Sequence, residues 1–130
     1  MQNFGLDIWA NKNFIIENGE LKLNYKSMPS ILSIIEDIRA KDVKGPTLLR
    51  FPHLIKKQIN SLYANFDKAI LENGYKGSFN AVFPLKVKQL PYAVEAVIEQ
   101  GKEFNYGLEA GSKAELIIAM SKTPTGAKIT

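Results

Sequence analysis

Apolar residues follow two alternating rhythms along most of the chain. Ile31, Ile34, Ile35 and Ile38 return every three or four residues, the spacing of one helix face, after an opening at 27–29 and before a stop at 44–46. Ile55, Ile59, Leu62, Phe66 and Ile70 repeat that spacing over 53–73, where Asn73 and Gly74 bring the pattern to an end. Shorter helical patterns occupy 91–100, with Pro91 in the first turn and Gly101 just past the end, and 112–121.

Between them lie short apolar runs at 47–51, 79–86, 104–109 and 127–130, each predicted as a strand. The order β-α-β-α-β-α, with a fourth strand beginning, predicts an α/β fold whose parallel sheet is covered by helices. A doubly wound sheet and a closed barrel both fit it. Residues 4–25 stand outside the alternation. Extended pieces at 14–16 and 21–25 flank Asn18 and Gly19, a strong hairpin-turn pair, and predict two strands that pack on another domain. Trp9 and Tyr25 are expected to pack against those strands. The chain reaches Thr130 inside the fourth run. An unfinished core strand leaves its neighbours with unpaired backbone groups, so the pattern reads as a truncated chain. Three and a half β/α units are less than half of an eight-fold barrel, which needs roughly 250 residues.

Composition changes this picture little. An apolar share of 45% can fill a core, and the lack of cysteine excludes disulfides and thiolate metal sites. No stretch approaches the roughly 18 apolar residues of a membrane helix, and no basic-then-apolar leader opens the chain. A cytoplasmic protein without a membrane partner is the expectation. The net charge of +4 could attract anions, but Lys56 with Lys57 and Lys86 with Lys88 make clusters too short to track a phosphate backbone. Nucleic acid is not an expected partner.

Candidate chemistry centres on Lys86. On a strand over 79–86, Asn80, Val82, Pro84 and Lys86 share one face, while Phe79, Ala81, Phe83 and Leu85 share the other. The bulkier face suits packing under helices, which would carry Lys86 to the sheet's C-terminal rim. In the next strand Asn105, Gly107 and Glu109 form the less bulky face, so Glu109 falls at the same end. The plain alternative is a surface ion pair worth under about 1 kcal/mol. Ser112 and Glu115 fit a helix capping box, which needs no catalysis. No glycine-rich nucleotide loop is present, and His53 has no cysteine or second histidine for a metal or nucleophile site.

The string FPLKVKQ at 83–89 and the string GLEAGSKAEL at 107–116 resemble those of the biosynthetic arginine decarboxylases, whose usual forms are close to YPIKVNQ and GLEAGSKAEL. The second is matched without change. In the first, Phe83 replaces tyrosine, Leu85 replaces isoleucine, and Lys88 stands where asparagine is usual. The stretches 4–11, 46–52 and 73–77 look like the same family, so the resemblance covers nearly the whole chain.

The resemblance implies a partial TIM-type (β/α)8 barrel of the alanine-racemase-like group. Residues 27–130 would be its first three to four units, and 1–26 a strand segment packing on a second β-domain. It implies pyridoxal phosphate carried as a Schiff base on Lys86, with Glu109 as a catalytic acid and Ala110, Ser112 and Glu115 beside the cofactor. It implies L-arginine as substrate, agmatine and carbon dioxide as products, a place in polyamine and spermidine biosynthesis, a homo-oligomeric parent, and Mg2+. Activity of these 130 residues alone is not expected, and cofactor binding by them is expected to be weak. Other readings are a related diaminopimelate, ornithine or lysine decarboxylase, or a non-catalytic anion-binding interaction domain, which would bind nucleic acid in a salt-sensitive way.

Overall fold

Asn18 and Gly19 adopt φ of 53° and 82°, the left-handed pair that a tight two-residue hairpin requires. They join β1 (Phe14–Glu17) to β2 (Glu20–Leu23), which pair antiparallel with Phe14 opposite Leu23. The structure, a computed structural model, describes residues 4–25 and 27–130. Residues 1–3 and 26, which fall within the segment 1–26, lie outside the described residues. A short helix, α1 (Leu6–Trp9), precedes the hairpin at positions where no element is predicted. The Trp9 ring leans on Phe14 at 5.6 Å between centroids, and Tyr25 is 61% exposed. Ser30 forms a bridge with Lys22 and caps α2 (Ile31–Ala40) by accepting the Ser33 N–H at 3.1 Å. The helix thus starts at Ile31, after the Ser30 cap, and packs with the hairpin.

Contacts divide the chain into two compact units, Met1–Leu49 and Arg50–Thr130. In the second, Pro52 opens α3 (Pro52–Glu72), a position where its missing N–H costs the helix nothing, and Gly74 at φ 61° follows its end. The buried side of α3 keeps Ile59 of the predicted stripe and adds Tyr63, while Leu62 and Phe66 of that stripe are exposed. Tyr63 explains the difference. Its ring stacks on Phe104 at 4.2 Å and meets Phe79 edge-on at 5.2 Å. Its hydroxyl accepts the Ala81 N–H at 3.1 Å, a polar anchor that leucine cannot supply.

Two of the predicted strands, those over 79–86 and 104–109, are present in shortened form. β3 (Val82–Pro84) and β4 (Gly107–Glu109) pair parallel, with Val82 opposite Gly107 and Pro84 opposite Glu109. Residues 102–104 form a 3-10 turn after α4 (Pro91–Gly101), and Asn105 at φ 51° breaks the extended chain. The strand over 104–109 therefore starts only at Gly107. Residues 128–130 add along β4: the Leu108 N–H donates to the Lys128 carbonyl at 2.9 Å and the Thr130 N–H to the Leu108 carbonyl at 3.1 Å. A Cβ at Gly107 would strike that Lys128 carbonyl, so only glycine admits so close a neighbour. The run at 47–51 forms no strand, and Leu48 is 72% exposed. Its composition suits a strand, but among the described residues no strand pairs with it, and pairing is what makes a strand.

The core sits between this small sheet and α4 and α5 (Lys113–Lys122). Leu85, Val94, Leu108 and Ala119 are fully buried there, with Phe83, Ile98, Ala110 and Ile118 packed around them. Phe83, Leu85 and Leu108 are on the faces predicted to lie under helices. Burial of each leucine removes apolar surface worth about 1.5–3 kcal/mol.

Candidate active site

The last rung between the parallel strands falls at Leu85, because alternate residues of β3 turn their backbone groups toward β4. The Leu85 N–H donates to the Glu109 carbonyl at 3.0 Å, and the Leu85 side chain is fully buried. The chain then reverses direction. The Val87 N–H donates to the Pro84 carbonyl and the Lys88 N–H to the Leu85 carbonyl, both at 3.1 Å. Lys86 therefore sits in a turn one residue past the ladder, not on the strand face predicted for it. Its direction is set by that turn rather than by the pleat. Its side chain is exposed, as is that of Lys88. Lys86 and Glu109 form no ion pair among the described residues.

Glu109 ends β4, half-buried, at the same end of the pair as the Lys86 turn. Ala110 follows with its methyl packed against the core and its N–H on the Thr130 carbonyl at 2.8 Å. Ser112 is the N-cap of α5, its Oγ accepting the Glu115 N–H at 3.3 Å, which is half of the predicted capping box. The other half is altered. Glu115 Oε2 accepts the Gly111 N–H at 2.8 Å, and Oε1 accepts from Gln89 Nε2 at 2.9 Å. The side chain is thus drawn across to the turn after Lys86, and Glu115 is only 7% exposed. A Cβ on Gly111 would lie 3.5 Å from Glu115 Oε2 and 3.7 Å from Glu109 Oε1, so the two carboxylates flank this glycine.

Lys86, Glu109 and Glu115 are gathered around one loop-and-turn pair, while Ala110 faces the core. Sequence reasoning passed over Gln89. Its only signal was its place as the last residue of the string at 83–89. No three of His, Cys, Asp or Glu come together as metal donors among the described residues. His53 lies at the start of α3 with its ring edge-on to Phe51 at 6.1 Å. No helix among the described residues is long and apolar enough to cross a membrane.

No protein-family model matches the chain. It is 34% identical over 123 residues to the biosynthetic arginine decarboxylase of Prochlorococcus marinus (strain MIT 9313), covering 91% of this chain and 19% of that protein. It is 35% identical over 124 residues to that of Parasynechococcus marenigrum (strain WH8102), with the same coverage. The crystal structure of the biosynthetic arginine decarboxylase SpeA from Campylobacter jejuni superposes with a TM-score of 0.94 at 56% identity, covering 99% of this chain and 22% of that one. The chain spans about a fifth of the length of these relatives. By sequence and by backbone it is a homologue of one stretch of the biosynthetic arginine decarboxylases.

Proposed function

We propose that this chain is the N-terminal portion of a pyridoxal-phosphate-dependent decarboxylase that converts L-arginine to agmatine and carbon dioxide, a carbon-carbon lyase of polyamine biosynthesis. The observation that carries the reading is the register of Pro84 with Glu109. It sets the two matched strings, 83–89 and 107–116, beside each other where the C-terminal ends of β3 and β4 meet. In a closed β/α barrel that end holds the active site. A partial barrel from 27 to 130, with 1–26 packing on a second β-domain, is the fold we read for the parent protein. The relatives named above are arginine decarboxylases, which favours arginine over diaminopimelate, ornithine or lysine. We place the parent in the cytoplasm as a homo-oligomer.

The residues fit a cofactor held covalently on an amine. Lys86 is exposed on a turn whose base is a fully buried leucine, so its Nζ is reachable while its backbone is held. Gly111 and Ser112, both small and exposed, adjoin Glu109 and leave its side of the loop uncrowded. In this reading Lys86 holds the cofactor through Nζ, which must first give up a proton, because only the neutral amine has the lone pair that attacks a carbonyl carbon. The Glu109 carboxylate accepts a hydrogen bond or holds a proton beside the reacting group. The chemistry such a cofactor supplies when bound is an electron sink for the bond to the departing carboxylate.

The test is a chimera in which this chain replaces the matching segment of the Campylobacter jejuni enzyme. After pyridoxal phosphate and borohydride, the mapped label should sit on Lys86, and the chimera should release carbon dioxide from arginine. A folded chimera labelled evenly over its surface lysines ends the reading. The 130-residue chain alone should be inactive.

A further inference from the structure

Two tethers bracket Lys86. One residue before it, the Leu85 N–H is bonded to the Glu109 carbonyl at 3.0 Å. Three residues after it, Gln89 Nε2 donates to Glu115 Oε1 at 2.9 Å. Both tethers end on the same short segment, residues 109–115. Glu115 is itself fixed there: it is 7% exposed, its Oε2 takes the Gly111 N–H at 2.8 Å, and its own N–H rests on Ser112 Oγ at 3.3 Å. One buried carboxylate thus joins the turn that carries Lys86 to the loop that follows Glu109.

We propose that Glu115 is a positioning residue, which sets the Lys86 turn against the Glu109 loop through Gln89 and does not itself touch cofactor or substrate. The inference rests on reading Lys86 as the point of cofactor attachment. Each oxygen of Glu115 already has a donor from the protein, a set that suits an acceptor-only carboxylate. Glu109, less buried and at the strand end, is the carboxylate left to face a ligand. A helix cap alone would need Ser112 and a backbone N–H. It would not need Gln89, which comes from a separate part of the chain and pulls the carboxylate away from the Ser112 N–H of an ordinary capping box.

Hydrogen exchange at the Val87 and Lys88 amides reads the turn directly in the full 130-residue chain, with the Leu108 amide as internal reference. Gln89→Ala removes the tether and leaves the Glu115–Gly111 bond in place. Because Gln89 is exposed, the variant leaves the core intact. Exchange at the two turn amides should quicken about tenfold, the fold-change of losing one hydrogen bond to a charged acceptor. Glu115→Met, whose side chain has no oxygen to accept the Gln89 N–H, should do the same, and adding Gln89→Ala to it should bring no further change. Tyr63→Phe, which removes a bond remote from the turn, should leave the ratio of turn to reference exchange unaltered. In the chimera, Gln89→Ala should lower the borohydride label on Lys86 by about tenfold. Wild-type exchange in Gln89→Ala, or an equal response in Tyr63→Phe, would overturn the proposal. A parent chimera without label on Lys86, in which the turn amides still respond as stated, defeats the cofactor reading and leaves the tether established.

Discussion

The Leu85 N–H and the Glu109 carbonyl oxygen are joined at 3.0 Å across the parallel strands. This is the last rung before the chain turns, and it ties the backbone beside Lys86 to the backbone of the candidate acid. Leu85 is also fully buried between the sheet and two helices. The reachable lysine is therefore mounted on one of the best-anchored residues of its unit.

Leu85→Ala should cost about 2–5 kcal/mol, the usual range for emptying a fully buried leucine site. Urea unfolding of the chain checks this. Val87→Ala, two residues on and 70% exposed, should stay within about 0.5 kcal/mol of the parent. Equal losses for the two would show that the turn does not hang on the core as described.

Lys86→Ala should separate chemistry from stability. The side chain is exposed and makes no ion pair among the described residues, so the unfolding midpoint should shift by no more than about 0.5 kcal/mol. In the chimera with the Campylobacter jejuni enzyme, the same change should abolish both the borohydride label and carbon dioxide release. Lys86→Arg should be equally inactive, because arginine stays charged and offers no free amine.

Gly107→Ala should detach residues 128–130 from β4. The new methyl meets the Lys128 carbonyl, and backbone cannot swing aside as a flexible side chain would. A loss of about 1–3 kcal/mol is expected for such overpacking, with exchange at the Leu108 and Thr130 amides rising first. Unchanged protection at both would mean that the close approach is not maintained in solution.

High pH should weaken the second unit through Tyr106. Burial raises its phenol above the ordinary range, and the nearby Tyr63 adds to that shift. The unfolded chain releases this proton first, so the folded state binds more protons between the two values. Stability is then full below the ordinary tyrosine pKa of about 10 and falls as pH rises through the folded value. Tyr106→Phe should flatten that limb of the urea-midpoint curve. A slope unchanged by the substitution would assign the effect to another group.

Features that depend on local rules were legible in the sequence. Asn18 and Gly19 specified the hairpin because few other residues accept two positive φ angles in a row. Pro91, Ser112 and Gly74 marked helix ends through missing donors, spare oxygens or left-handed backbone. Features that depend on distant partners were not. The run at 47–51 looked like a strand because strand propensity records fit to a pleated surface, not the presence of a neighbour. Tyr63 joined Ile59 on the buried face of α3 because its hydroxyl meets the Ala81 N–H, eighteen residues away. At the site, the strings around Lys86 and Glu109 could be read, but not that Lys86 leaves the strand. The bond from Gln89 to Glu115 spans 26 residues and has no local signature.

Position 84 has one further effect. Ala81 and Leu85 direct their bonding groups toward β4, so the alternation turns the ring nitrogen of Pro84 to the opposite edge of β3. There its lack of hydrogen costs β4 nothing, yet it denies a donor to any strand approaching from that side. A proline so placed discourages a neighbour from extending over the rim, and the amine two residues later stays unroofed.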